Sequence, residues 1–193
     1  MVLIPQGQEK RGFLKVQRTS LFIFTVTSVL LLVYSLGFLT SAYIFYAFGD
    51  ERLWEFYMEM QGINTGFLFK AVMAIVFALA MFAMQVNKHV AGPYTVIAVL
   101  LVSVASVFFS ADSLVRVAAM RQSYTMLDLS SLDRYIELGS ISYQYSTLTF
   151  DLGIIVYGMF ALAAMFMAIT VVRNAVTVRE FSGQEVTMDG GKP

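Results

Sequence analysis

The 193-residue sequence contains no cysteine and a single histidine, His89. Without cysteine there are no disulfide staples, no thiol catalysis and no thiolate metal sites. Membrane thiol oxidoreductases of the four-helix kind, which depend on cysteine pairs, are excluded in the same step. One histidine rules out a bis-histidine haem within one chain. Charge is scarce too: 13% of residues are charged, about half the share of roughly 25% usual in soluble domains. The 13 basic residues equal the 13 acidic ones, so nothing draws the chain to nucleic acid in bulk. No Asn-x-Ser/Thr acceptor occurs, which points to a prokaryotic source.

What is present is apolar: 58% of residues are hydrophobic and the mean hydropathy is +0.71. The first uncharged run, between Arg18 and Asp50, is about 31 residues long, where about 20 suffice to cross the hydrocarbon of a bilayer. Lys10, Arg11, Lys15 and Arg18 precede it like the basic region of a signal peptide, but a cleavable signal has an apolar core of only about 7–15 residues. It therefore reads as a retained first helix. A second run covers Ala71 to Asn87 and extends back through Ile63–Phe69 if Lys70 snorkels. The third, Val90 to Ala111, has Pro93 near its start, where a first helical turn tolerates proline. The fourth runs from Leu152 to Val172, bounded by Asp151 and Arg173.

These runs predict an all-α integral membrane protein: a four-helix transmembrane bundle with short amphipathic helices in the external connections. The expected organisation is an N-terminal arm (1–18), a transmembrane domain (19–175) and a polar tail (176–193). The spans fall near 20–47, 66–87, 93–118 and 149–172. Basic residues set orientation, and the N-terminal cluster, Lys88, Arg173, Arg179 and Lys192 share one side. That side is expected to be cytoplasmic, which makes the chain a multi-pass plasma-membrane protein with both termini inside.

The external connections carry some pattern. In Asp50–Gly66, Glu51, Glu55 and Glu59 recur every four residues while Trp54, Tyr57, Met58 and Gln61 fall elsewhere, as in a short amphipathic helix along the interface. Trp54 and Tyr57 suit the headgroup level as anchors. In Arg121–Thr149, Ser130-x-x-Asp133 resembles a capping box and Gly139 a helix stop, suggesting a short helix over Leu132–Leu138. Ile141, Tyr143 and Tyr145 alternate with polar residues and also fit an extended segment. The tail from Phe181 is polar and reads as disordered.

Few residues offer chemistry. Lys70, Asp112, Arg116 and Asp151 are the charges within or at the ends of spans two to four on the outer side. Asp112 and Arg116 share a helix face, and counting about 1.5 Å per residue from the cytoplasmic hairpin brings Lys70 and Asp112 to similar height. An ionisable residue in a span is a functional hypothesis by default; the competing reading is a set of helix-end markers that snorkel. Met58 and Met60 form a Met-x-Met spacing that suits Cu(I), but no further soft ligand accompanies it, and no metal or cofactor is expected. His89 reads as a solvated loop residue. Small residues line several helices, most fully Gly158, Ala161, Ala164 and Ala168, a pattern that lets backbones approach in lipid. The first span carries no acid, unlike the small four-helix multidrug exporters, whose first helix has an essential glutamate.

The expectation is a non-catalytic membrane subunit, not an enzyme, that meets the lipid bilayer and other membrane proteins, itself or others. The alternative is a small transporter or ion pathway using the outer charges.

Overall fold

The computed structural model describes the backbone of residues 6–46, 51–89, 92–127 and 147–189, and the side chains of 12–38, 55–56, 58–89, 92–127 and 147–177. Four helices make up nearly all of it: α1 (Gln6–Tyr46), α2 (Glu51–Ala83), α3 (Pro93–Thr125) and α4 (Leu148–Asp189). No strand occurs among the described residues. Within these helices Gly12–Phe38, Met58–Ala83, Pro93–Thr125 and Leu148–Thr177 are each long and apolar enough to cross a membrane.

The helices form an antiparallel ring. Each consecutive pair is adjacent, and α4 closes the ring against α1, while α2 and α3 touch least. Every helix buries a stripe spaced alternately by three and four residues, the seam of left-handed bundles. On α3 the stripe is Val99, Ser103, Ser106, Ser110, Ser113, Val117, Met120 and Tyr124. Serine suits this seam because a small side chain lets helices approach closely. On α1 the corresponding residues include Gln17, Leu21, Phe24, Ser28, Leu31, Ser35 and Phe38. Phe38 meets Phe67 at 5.9 Å and Phe150 at 5.9 Å, tying α1 to α2 and α4. Phe67 and Tyr157, 5.4 Å apart, join α2 to α4 across the diagonal. Outward faces are apolar on all four helices: Phe22, Leu79, Leu101, Phe108, Leu162 and Ile169 are all more than half exposed.

The α2–α3 hairpin is closed by a helix stop rather than by glycine. Gln85 adopts φ 57°, the left-handed conformation usual for glycine after a helix. Its N–H donates to Phe82 O and that of Val86 to Met81 O, which are the two bonds of the Schellman stop. Pro93 then opens α3 directly after Gly92, since the first helical position needs no N–H.

Two expectations change. The interfacial helix expected in Asp50–Gly66 is the first half of α2, which continues unbroken to Ala83. Phe56, Met60, Asn64 and Phe67 are buried and carry the core stripe of α2 straight through this segment, so it stands with the bundle instead of lying across its end. Likewise α4 stays helical to Asp189, where a disordered tail was expected; no proline interrupts the sequence there. The side chains of Trp54 and Tyr57, and the segments expected over Leu132–Leu138 and 141–145, lie outside the described residues.

Candidate functional site

Charged side chains gather at the end of the bundle away from the hairpin. Lys70 Nζ on α2 bonds the Asp112 carboxylate on α3 and lies 3.1 Å from Ser113 Oγ. Arg116, one turn beyond Asp112, donates to both carboxylate oxygens at 3.0 and 3.1 Å. Two cations therefore share one acid. Exposure is graded along the group: the side chains of Lys70, Asp112 and Arg116 are 14%, 34% and 52% exposed. The Lys70 ammonium also sits 5.9 Å from the Phe67 ring centre. Together with the stacked pair Phe77–Phe109, this triad spans the thinly packed α2–α3 seam.

Asp151 does not join the triad. It accepts from Arg121 Nε at 2.8 Å and from Thr147 Oγ1 at 2.8 Å. Arg121 lies nine residues beyond Asp112, or about 13 Å further along the helix axis, so the expected four-charge group is a triad plus a separate pair. The sequence places Arg121 at the start of the second external connection, but α3 carries it because the helix runs on to Thr125.

The small-residue stripe on α4 is divided in the same way. Ala164 is fully buried, whereas Gly158, Ala161 and Ala168 are half-buried. A Cβ built on Gly158 meets no atom within 4 Å. The tight approach occurs at Gly153, where a Cβ would lie 2.6 Å from Tyr34 Cζ. Composition alone does not tell these two glycines apart; the three/four spacing of Phe150, Gly153, Tyr157 and Phe160 does.

A second polar group, unannounced by the sequence, lies at the hairpin end. Gln17 and Asn174 are buried. Gln17 Nε2 donates to Val86 O at 2.6 Å and His89 O at 2.9 Å, and Gln17 Oε1 accepts from Asn174 Nδ2 at 3.1 Å. Asn174 also donates to Phe13 O, and Arg18 Nε donates to Asn87 O. The carbonyls of the turn beyond the Schellman stop are thereby held by α1, and α4 is tied to the same point. Gln17 was hidden by its position among the basic residues of the N-terminal arm, where polarity reads as solvation.

Between these two groups the interior is lined with hydroxyls. On α1, Thr25, Ser28 and Ser35 bond the carbonyl four residues back, the usual outlet for a helical hydroxyl. On α3, Ser103, Ser106 and Ser110 are buried and their hydroxyls have no partner. The Tyr157 hydroxyl lies beside Ser113 and Ser35, and that of Tyr34 is buried without a partner.

Among the described residues, no three histidine, aspartate or glutamate side chains converge as a metal site. The class defined by this architecture is thus an all-helical chain with four apolar helices of membrane-crossing length, a charged triad at one end and a buried amide lock at the other. Comparison with protein families, with curated proteins and with solved structures finds no match to this chain.

Proposed function

We propose that this chain is a multi-pass membrane protein with both termini in the cytoplasm, and that it works as a non-catalytic subunit assembling with other membrane proteins or with itself. Bilayer insertion is supported by the outward apolar faces, since water-soluble monomers rarely expose contiguous apolar patches above a few hundred Å². Orientation is supported by the basic residues that flank the hairpin end. The observation that carries assembly is the half-buried face Gly158–Ala161–Ala168. The chain fills the space over Gly153 with its own Tyr34 but leaves the space over Gly158 open, so a second helix has room for close backbone approach there.

The test is recovery of partners after mild detergent extraction of the full chain. Gly158→Leu and Ala161→Leu should lower the yield of a stoichiometric partner, or of a homo-oligomer, while leaving the melting of the isolated chain nearly unchanged. Unchanged recovery for both variants would assign this face to lipid and remove the assembly reading.

A second reading, a small transporter or ion pathway, is favoured by the triad. Ionisable side chains in apolar spans are costly unless paired, and they mark ion and proton routes in membrane proteins. Here they sit on the most loosely packed seam and step outward in exposure. Solute or ion movement into liposomes that depends on Lys70 and Asp112 separates this reading from the first.

A further inference from the structure

The α3 hydroxyls and the triad form one continuous polar line. Ser103, Ser106, Ser110 and Ser113 follow at steps of three and four residues on one buried face, which places successive Cβ atoms about 5–6 Å apart. Hydroxyls carried at that spacing are within reach of one bridging water making two hydrogen bonds of about 2.8 Å each. A buried hydroxyl without a partner costs about 1–3 kcal/mol, and a buried water stays where two to four polar groups hold it. Three unpartnered serine hydroxyls in a row, with the Tyr157 hydroxyl beside Ser113, supply such groups.

Both ends of the line lead somewhere. Ser113 Oγ is 3.1 Å from Lys70 Nζ, Lys70 is paired with Asp112, and Asp112 is one-third exposed at the α2–α3 seam. Straight ahead the way is closed by a chain of rings, Tyr157 on Phe67, Phe67 on Phe38 and Phe38 on Phe150, so the exit is sideways through the triad. Towards the hairpin, the antiparallel register that pairs Arg121 with Asp151 brings Ser103 level with Ile169, within one residue of Thr170. Thr170 is buried and lies one turn from Asn174, which holds Gln17 and through it the carbonyls of Val86 and His89.

We propose that this line holds a single file of water and conducts protons between the two ends of the bundle. The inference rests on the pathway reading and narrows it to one ion. In each transfer a water or hydroxyl oxygen accepts a proton from one neighbour and releases its own to the next. At the triad, Lys70 Nζ gives a proton to Asp112 and regains one from the water beside Ser113. Asp112 then releases its proton at the seam. One proton enters, one leaves, and every group returns to its starting state.

The experiment uses the purified full chain in liposomes loaded with potassium and a trapped pH dye, with valinomycin setting an inside-negative potential. Acidification should exceed that of protein-free vesicles and fall at least tenfold in Ser106→Val/Ser110→Val. A lipid-face change, Val104→Ala, should leave it unaltered. Flux unchanged by the double valine variant overturns the serine route while leaving a pathway elsewhere possible. Movement of potassium or sodium without protons, abolished by Asp112→Asn, overturns the water file and keeps the pathway reading. No movement of any ion through folded protein overturns both. Radiolytic footprinting of the unmodified chain gives a measurement that does not need the variant to fold. Radicals from bound water should hydroxylate the buried Tyr157, and absence of label there overturns the proposal.

Discussion

Removing one member of the triad should have unequal consequences depending on which member is removed. Asp112→Asn takes the shared acid from two cations. Lys70, only 14% exposed, would keep the Ser113 hydroxyl as its hydrogen-bond partner and would face Arg116 with no acid between them. Breaking a fully buried pair costs about 3–5 kcal/mol and losing an exposed one about 0–1. A side chain buried to this degree, at the shallow end of a span, falls between, at about 2 kcal/mol. Lys70→Gln is milder, because Asp112 is more exposed and still holds Arg116 at 3.0 Å; about 1 kcal/mol or less is expected. For a chain of this size each kcal/mol moves Tm by roughly 2–4 °C. Thermal unfolding in detergent, followed by circular dichroism at the helical band, should show Asp112→Asn about 4–8 °C below wild type and Lys70→Gln no more than about 4 °C below. The double variant should melt near Lys70→Gln alone, since the stranded cation is gone. If Lys70→Gln is the more damaging change, or the two effects simply add, the sharing of one acid by two cations is not what stabilises this seam.

Other outcomes follow from single contacts. Gln85→Gly should raise stability by about 1 kcal/mol in the same melting assay, because glycine holds positive φ without the Cβ penalty, whereas Gln85→Val should lower it. Gly153→Ala should destabilise by forcing Tyr34 to move, and Tyr34→Leu should restore part of the loss, while Gly158→Ala should leave the isolated chain's Tm unchanged. Gln17→Leu should cost about 2–4 kcal/mol, since it strands two hairpin carbonyls and Asn174 together, and should increase amide exchange around Val86–His89. A single cysteine placed at Ser182, free of background in a chain without cysteine, should resist impermeant maleimide in intact cells; labelling there would reverse the orientation.

The number of apolar helices is legible in the sequence because uncharged runs longer than a bilayer leave little choice. Their ends are not. Glu51, Glu55 and Glu59 suggested an element apart from the span, yet one continuous core stripe through Phe56, Met60, Asn64 and Phe67 decides the helix, and a charge on the opposite face does not interrupt it. The Lys70–Asp112 apposition follows from counting along a hairpin whose turn is short. Asp151 has no such tether, since a long connection separates it from α3. Its partner therefore depended on where α3 stops, which no residue near Thr125 announces. The division between Gly153 and Gly158 was hidden for a related reason: small residues permit close approach, but only the register of the neighbouring helix says where it happens.

The thin contact between α2 and α3 has a consequence for how the bundle is made. These two helices are consecutive and joined by a tight turn, yet α3 finds most of its packing on α4, the fourth of these helices in chain order. Without α4, α3 stands beside the α1–α2 pair with its four seam serines uncovered, held mainly by the Lys70–Asp112 pair, the Lys70–Ser113 bond and the Phe77–Phe109 stack. The fourth helix is thus the keystone of the bundle. It covers the serines, completes the amide lock with Asn174 and seals the aromatic layer with Phe150 and Tyr157. A chain stopped before residue 148 would expose a polar helix face that the four-helix bundle keeps buried.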